Sequence, residues 1–504
     1  MAWFVFRDAL GYYFAQDDFA GLARARGVLP PLEGPWRWIS GQLYFDVMRA
    51  VAGLEAAAYR AASLGAHAAV SAGLALALAR RYGAAAGLAG AAFFAAHPSL
   101  YTALYSVSGI GEILSAGFAL AALAAFDARG AARWLAPAAF ALSLMCKENT
   151  VLLPLALALS SATGAPGEPA APPHARTARR PLDPVLRATF AVGALGAALF
   201  MAGDAFGVRA GLPGSAAYSV GLGRHVLDNL LTYAGWTVHI ATPLVRGVTD
   251  AVDPPAMPWG AALLAAWTTG LFVPALRRRG WLAAGALGAL WLAPVLPLRN
   301  HTYHYYLYAP LLAAGWSVAI LFDAARAGLA ARGARAGAVA ARPVAGRAGA
   351  VAAFALAALF AANGAALVRR NETMPLGATG LRADPTVDRA IIARHVRDGL
   401  ARAALPEGAT LALWCPRAFQ PGLSPAAAAD TTRDTYYEAN LRSALMEGIA
   451  VRVLFPNVRA VRFVRAFAPD PARPLWAVVR TDGVLQVASQ DELARMLAAR
   501  PEIR

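Results

Sequence analysis

The sequence predicts an α-helical polytopic membrane protein of about ten spans, followed by a small C-terminal α/β domain. Three observations predict it. Of the 504 residues 58% are hydrophobic and only 15% charged, with a mean hydropathy of +0.46. A soluble chain of this length carries about 25% charged residues to solvate its surface. The apolar residues are also clustered, in the stretches 56–79, 83–97, 109–126, 187–204, 259–276, 281–297, 306–322 and 348–368. A bilayer span needs about 20 such residues. Finally, the basic residues are sorted between alternate loops, as the positive-inside bias requires.

That sorting sets the topology. With the N-terminal polar stretch placed outside, the inside loops hold sixteen arginines: Arg80, Arg81, Arg129, Arg133, Arg176, Arg179, Arg180, Arg187, Arg277, Arg278, Arg279, Arg326, Arg332, Arg335, Arg342 and Arg347. The outside loops beyond that stretch hold five basic residues: Lys147, Arg209, Arg224, Arg246 and Arg299. The same placement removes the nucleic-acid reading that a net charge of +16 would otherwise invite, because the arginines lie in short loops rather than on one basic face. Two cysteines, Cys146 and Cys415, make no disulfide framework.

Two segments refine the count. Residues 134–162 are apolar around a central Lys147-Glu148 and read as a tight hairpin of short helices with that pair at its outer tip. Residues 225–244 are interrupted by His225, Asp228, Asn229 and His239 and read as an amphipathic helix at the outer interface or re-entrant there. Both termini then lie outside. Met1–Phe14 is too short to span and carries no signal-peptide pattern, so an upstream span is expected to be missing. The stretches 163–185 and 329–347 read as flexible cytoplasmic loops.

The chain divides into a first outer loop with interfacial helices (1–55), a multi-span membrane domain (56–369) and an extracytoplasmic α/β domain (370–504). In the last, strands are expected at Thr410–Trp414, Val458–Val464 and Leu475–Arg480, with helices at Tyr436–Ile449 and Asp491–Ala499.

An ionisable group at membrane depth is by default a functional hypothesis. Asp17-Asp18, set between Phe14 and Phe19, can hold a divalent cation or supply a general base, or can be a solvated helix cap. Arg37, between Trp36 and Trp38, anchors an interfacial helix or clamps a phosphate in bidentate fashion. His97-Pro98 ends one span and Glu112 lies just inside the next. Lys147-Glu148 is either a self-neutralising pair or a headgroup site. His67, alone on an apolar helix, reads as a packing residue. At the mouth of a later span, His301, Tyr303, His304, Tyr305, Tyr306 and Tyr308 offer more hydrogen-bond donors than an aromatic belt needs.

In this order, the motifs resemble the polytopic glycosyltransferases of the GT-C fold, in particular the protein O-mannosyltransferase-like group that includes transmembrane enzymes with tetratricopeptide repeats. Phe14–Asp18 is similar to the F-x-x-DD of that family's first loop. His97-Pro98 through Glu112 matches its HP, H-TEAV and GR-x-D runs in spacing. Ser143–Glu148 matches its S-x-x-CKE run, and Tyr306–Pro310 its RYLYLP run. The likeness covers roughly 12–160 and 295–325. Thr102, Ile110, His304-Tyr305 and Trp38 stand where that family has Glu, Arg, Glu-Arg and Pro, and the repeats are absent.

The resemblance implies inverting transfer of a sugar from a polyprenyl-phosphate donor to a protein or glycan acceptor, on the outer face of a bacterial-type inner membrane. It implies Asp17 or Asp18 as general base, with a divalent cation as a further role for the pair. Arg37 and Lys147 would hold the donor phosphate. His97, Glu112, Glu148, His304, Tyr305 and Tyr308 would line the substrate pocket. The rival expectation is a non-catalytic transporter, flippase or assembly factor on the same scaffold.

Overall fold

The computed structural model describes residues 1–163, 183–205, 219–238, 253–299, 301–335, 341–376, 381–430, 432–468 and 474–500. Arg176, Arg179, Arg180, Arg209, His239, Arg246 and Asn300 lie outside the described residues, and so does most of the loop expected at 163–185.

Each apolar stretch of the sequence forms helix. The segments Ala56–Tyr82, Val107–Phe126, His304–Arg332 and Arg347–Thr373 are long and apolar enough to cross a membrane. Shorter apolar helices include Ala84–Ala95, Leu135–Cys146 and Trp281–Leu292. Twelve residues rise about 18 Å at 1.5 Å each, against a hydrocarbon core of about 30 Å, so these helices reach only part way. The chain is an integral, multi-pass membrane protein.

Small residues let the helices touch. A Cβ on Gly90 would stand 2.3 Å from the carbonyl oxygen of Gly315, so Ala84–Ala95 and Tyr308–Arg335 meet backbone to backbone. The stretch 329–347 corrects its expectation as a flexible loop: the helices Tyr308–Arg335 and Ala341–Thr373 run into it from both sides. Alanine and arginine are strong helix formers, and Pro343 falls in the first turn of the second helix, where a missing N–H breaks no intrahelical bond.

Lys147-Glu148 sits where the apolar run 134–162 breaks. Helix Leu135–Cys146 ends, Lys147 is extended (φ −163°, ψ 147°), a 3-10 turn follows over Glu148–Thr150, and helix Leu153–Thr163 begins. The amphipathic segment is helical over Arg224–Thr237. It buries Asn229, Thr232, Tyr233 and Trp236, and Asn229 Nδ2 donates to the carbonyls of Leu296 (2.9 Å) and Leu298 (2.8 Å).

The C-terminal region carries a four-stranded sheet in the order β2-β1-β3-β4, with β1 Ala409–Trp414, β2 Val458–Val464, β3 Leu475–Arg480 and β4 Gly483–Ala488. β1 pairs in parallel with β2 and β3, and β4 closes the edge antiparallel to β3. The expected helix at Tyr436–Ile449 is two helices, Tyr436–Ala444 and Ile449–Leu454. They separate at Gly448, whose φ of +90° no β-carbon residue adopts easily.

This region and the first loop share one hydrophobic core. Phe14, Phe19 and Leu22 pack in a cluster with Ile392, Val396, Leu441 and Leu445, all essentially buried. The Gln16 N–H donates to Ala444 O (3.2 Å), Arg26 to Val453 O (2.6 Å), and the Arg397 guanidinium lies 4.4 Å from the Tyr13 ring centroid. The acidic loop and the C-terminal domain therefore lie at the same end of the bundle.

Candidate functional site

The acidic pair is split. Asp17 is exposed; it precedes helix Asp18–Ala25, and its carboxylate makes no capping hydrogen bond. Asp18 is 1% exposed and committed on every side. Its Oδ1 accepts from the Ser108 N–H (2.7 Å) and the Ser106 hydroxyl (3.1 Å), and its Oδ2 from the Ala15 N–H (3.1 Å). Arg60, also 1% exposed, stands 4.0 Å from Oδ2 and spends its other donors on the carbonyls of Tyr12 (3.1 Å), Tyr13 (2.7 Å) and Tyr105. Burial pushes the Asp18 carboxyl above its usual range, and Arg60 with the three donors acts against that shift.

Asp17 and Asp18 thus do not converge on a shared cation. A metal at Asp18 would have to displace three hydrogen-bond donors and an arginine. Among the described residues no group of three His, Cys, Asp or Glu side chains is placed to hold a metal.

One helical turn beyond Ser108, on the same helix, Glu112 begins a second cluster. Four residues of rise, about 6 Å, separate them. Glu112 is 1% exposed, pairs with Lys147 and accepts from Asn149 Nδ2 (2.7 Å). The Lys147 ammonium also lies 4.8 Å from the Tyr305 ring centroid and 5.4 Å from that of Tyr306. Glu148 turns the other way and takes Arg37 in a two-point contact, Nε to Oε2 at 3.0 Å and Nη2 to Oε1. Lys147 and Glu148 are therefore not a self-neutralising pair. Each is neutralised by a residue from another segment, and the extended backbone at Lys147 sends the two side chains apart.

The elements that hold these residues are specific. Between Arg37 and helix Tyr44–Ala52 the chain makes a π-turn, Ile39–Leu43, that carries the Ser40 hydroxyl to Cys146 O (2.6 Å). Arg37 itself is left-handed (φ +53°), a costly state for a non-glycine residue. Gly111 passes beneath, where a Cβ would lie 3.2 Å from Ser40 Oγ and 3.4 Å from Cys146 O.

The two clusters adjoin. Arg24, half-buried on helix Asp18–Ala25, feels Asp17 and Arg37 together: burial lowers its pKa, Asp17 raises it and Arg37 lowers it further. His301 is pushed down to about 4 by burial and by the positive charges of Lys147 and Arg37. Its Nε2 lies 3.0 Å from the Tyr305 hydroxyl.

The remaining residues named from sequence bond to other segments. His97 Nδ1 accepts from the Ser99 N–H (3.2 Å), which leaves Nε2 to donate to Thr237 O (3.0 Å). His304 stacks on Trp236, with ring centroids 3.7 Å apart and an interplanar angle of 20°. Tyr308 is fully buried, its hydroxyl 2.7 Å from His67 Nδ1, while His67 Nε2 reaches Ala95 O (3.2 Å). Sequence reasoning passed over Arg60, although a charge four residues into an apolar helix is the signal it applied elsewhere. Asn149 carried no such signal.

No family model and no curated protein matches the chain. Two solved structures resemble it in fold. The crystal structure of ArnT from Cupriavidus metallidurans bound to undecaprenyl phosphate is 14% identical, with a TM-score of 0.46 over 99% of this chain and 93% of that one. The apo state of the same protein is 16% identical, with a TM-score of 0.42 over 99% and 92%.

Proposed function

We propose that this chain is a membrane glycosyltransferase of the GT-C type, transferring a sugar from a polyprenyl-phosphate donor to a hydroxyl acceptor at the extracytoplasmic face. The observation that supports this reading best is the joining of Arg37 and Lys147 through Glu148 and Glu112, at a helix break beside the acidic first loop. Two cations held by carboxylates at bundle depth can exchange those partners for the oxygens of a lipid phosphate. As the glycosidic bond breaks, negative charge grows on the departing phosphate, and both cations offset it.

Within this reading the acidic pair divides its labour. Asp17, exposed and without a capping bond, is the general base that takes the proton of the acceptor hydroxyl. Asp18 is a positioning residue. Through Arg60, Ser106 and Ser108 it fixes the loop that presents Asp17 to the start of helix Val107–Phe126. Tyr305 and Tyr306 line the donor side. The acceptor is a protein or a glycan, and the C-terminal domain, which shares its core with the acidic loop, lies on the acceptor's side of the membrane.

A second reading has its own support. Because Glu112 and Glu148 already neutralise both cations, a non-catalytic membrane protein could keep the same pairs as structural ties. The two readings part in one assay. Purified protein in lipid nanodiscs, given polyprenyl-phosphate hexoses and pentoses and a mixture of glycan and peptide acceptors, should release free polyprenyl phosphate if it is a transferase. Absence of release, and of hydrolysis, across hexose and pentose donors would leave the structural reading.

A further inference from the structure

Asp17 stands between two residues that are tied to different parts of the molecule. On one side Asp18 is bonded to Ser106 and Ser108, at the start of helix Val107–Phe126. On the other the Gln16 N–H donates to Ala444 O (3.2 Å), in the C-terminal domain. Gln16 is left-handed (φ +52°), a conformation that glycine accepts and glutamine rarely adopts. Such a residue persists only where its surroundings hold it. Here its carbonyl accepts from the Phe19 N–H (2.9 Å), and the preceding Ala15 N–H goes to Asp18 (3.1 Å). Phe14 and Phe19 are buried in the core shared with the C-terminal domain.

The hold has a second point. Helix Asp18–Ala25 is capped at its far end by Arg26, whose guanidinium donates to Val453 O (2.6 Å). Ala444 closes helix Tyr436–Ala444, and Val453 lies in the last turn of Ile449–Leu454. Both acceptors are therefore helix-end carbonyls, which find no partner inside their own helix. Between the two helices Met446, Glu447 and Gly448 are all left-handed (φ +46°, +51° and +90°). One helix end thus meets each end of helix Asp18–Ala25, and farther back Arg394 reaches Gly11 O. We infer that the C-terminal domain is a clasp that sets the position of Asp17, with Gln16 as its positioning residue. Gln16 acts through its backbone: only a left-handed residue there sends its N–H to Ala444 while Asp18 stays bonded to the bundle. The consequence for turnover rests on reading Asp17 as the general base; the clasp itself does not.

The test therefore reads the clasp and the turnover separately, on the full-length protein in nanodiscs. Hydrogen–deuterium exchange over residues 13–19 reports the clasp, and kcat against donor KM reports its consequence. Valine is β-branched and resists the left-handed state that glycine accepts. Gln16→Val should speed exchange about tenfold and lower kcat about tenfold with donor KM unchanged, the size of effect that one strained residue controls. Gln16→Gly should keep kcat within about twofold of wild type. Arg26→Met should move exchange and kcat in the same direction as Gln16→Val but less, and guards against misfolding of the valine variant. Faster exchange in both variants of a protein that transfers no sugar would keep the clasp and remove the glycosyltransferase reading. Unchanged exchange in Gln16→Val and Arg26→Met overturns the clasp whatever the activity. A kcat loss in Gln16→Gly as large as in Gln16→Val would place the role in the side chain and overturn the backbone assignment. A raised donor KM at unchanged kcat would show that the clasp does not act through Asp17.

Discussion

The two ends of the helix bundle use charge differently. Helix Ala56–Tyr82 shows both: Arg60 lies near its start and Arg80, Arg81 and Tyr82 at its finish. At the finishing end the ion pairs tie helix ends and the turns between them, Arg81 with Asp127 (3.9 Å), Arg133 with Asp183 (2.8 Å), and Arg279 with Asp323 (2.8 Å), while Arg326, on the same helix, shares that aspartate (3.0 Å). Each has a partly exposed arginine and few further bonds. At the starting end, Asp18–Arg60 and Glu112–Lys147 are buried or nearly so, and each ion is held by several donors or acceptors. The arginine-rich end sorts orientation by number and placement. The other end fixes particular side chains against one another.

Substitutions at the two ends should separate them, and the largest effect is expected at Arg60. Arg60→Met leaves Asp18 an uncompensated buried charge and should destabilise the protein by about 3–5 kcal/mol, read as a lowered thermal midpoint in detergent. A midpoint unchanged from wild type would break the claim that Asp18 positions the loop. Asp17→Asn should leave that midpoint alone and reduce transfer about 100-fold, the loss of a general base. If Asp17→Asn were active and Asp18→Asn merely inactive while stable, the two roles would be reversed. Arg37→Ala and Lys147→Ala should each weaken use of the donor by about 1.5–3 kcal/mol, the worth of a charge-assisted contact, seen in KM for the lipid-linked sugar. The smallest effect belongs to the other end. Asp323→Asn should cost under about 1 kcal/mol in stability and nothing in transfer; a large loss there would erase the contrast.

Much of this contrast was legible in the sequence. Periodicity and loop charge located the apolar helices, and the contacts just described join only helix ends and turns expected on one side. Lys147-Glu148 was located at a helix break because two charges cannot lie in the middle of a continuous span. What sequence could not supply was partnership. Lys147 pairs with Glu112, 35 residues away, and Glu148 with Arg37, 111 residues away, because an extended residue turns the neighbours apart. The same limit hid the role of Asp18: a carboxylate pair reads as two equals until burial distinguishes them. The core shared by Phe14 and Phe19 with Leu441 was hidden for a related reason. Aromatic residues flanking an acidic pair suggest an interface, but not which distant segment covers them. Strand β4 was missed because Gly483–Ala488 opens on a glycine and carries Gln486 amid its apolar residues.

The central claim is that Arg37 and Lys147 hold one polyprenyl phosphate beside Asp17. Titration of a polyprenyl-phosphate sugar against wild type, each single alanine variant and the double variant, in nanodiscs, tests it most directly. Two cations on one phosphate are coupled, so the double variant should lose less than the product of the single losses. Single variants with wild-type donor KM, or losses that multiply independently, would mean the cations do not share a ligand, and the phosphate site would fall.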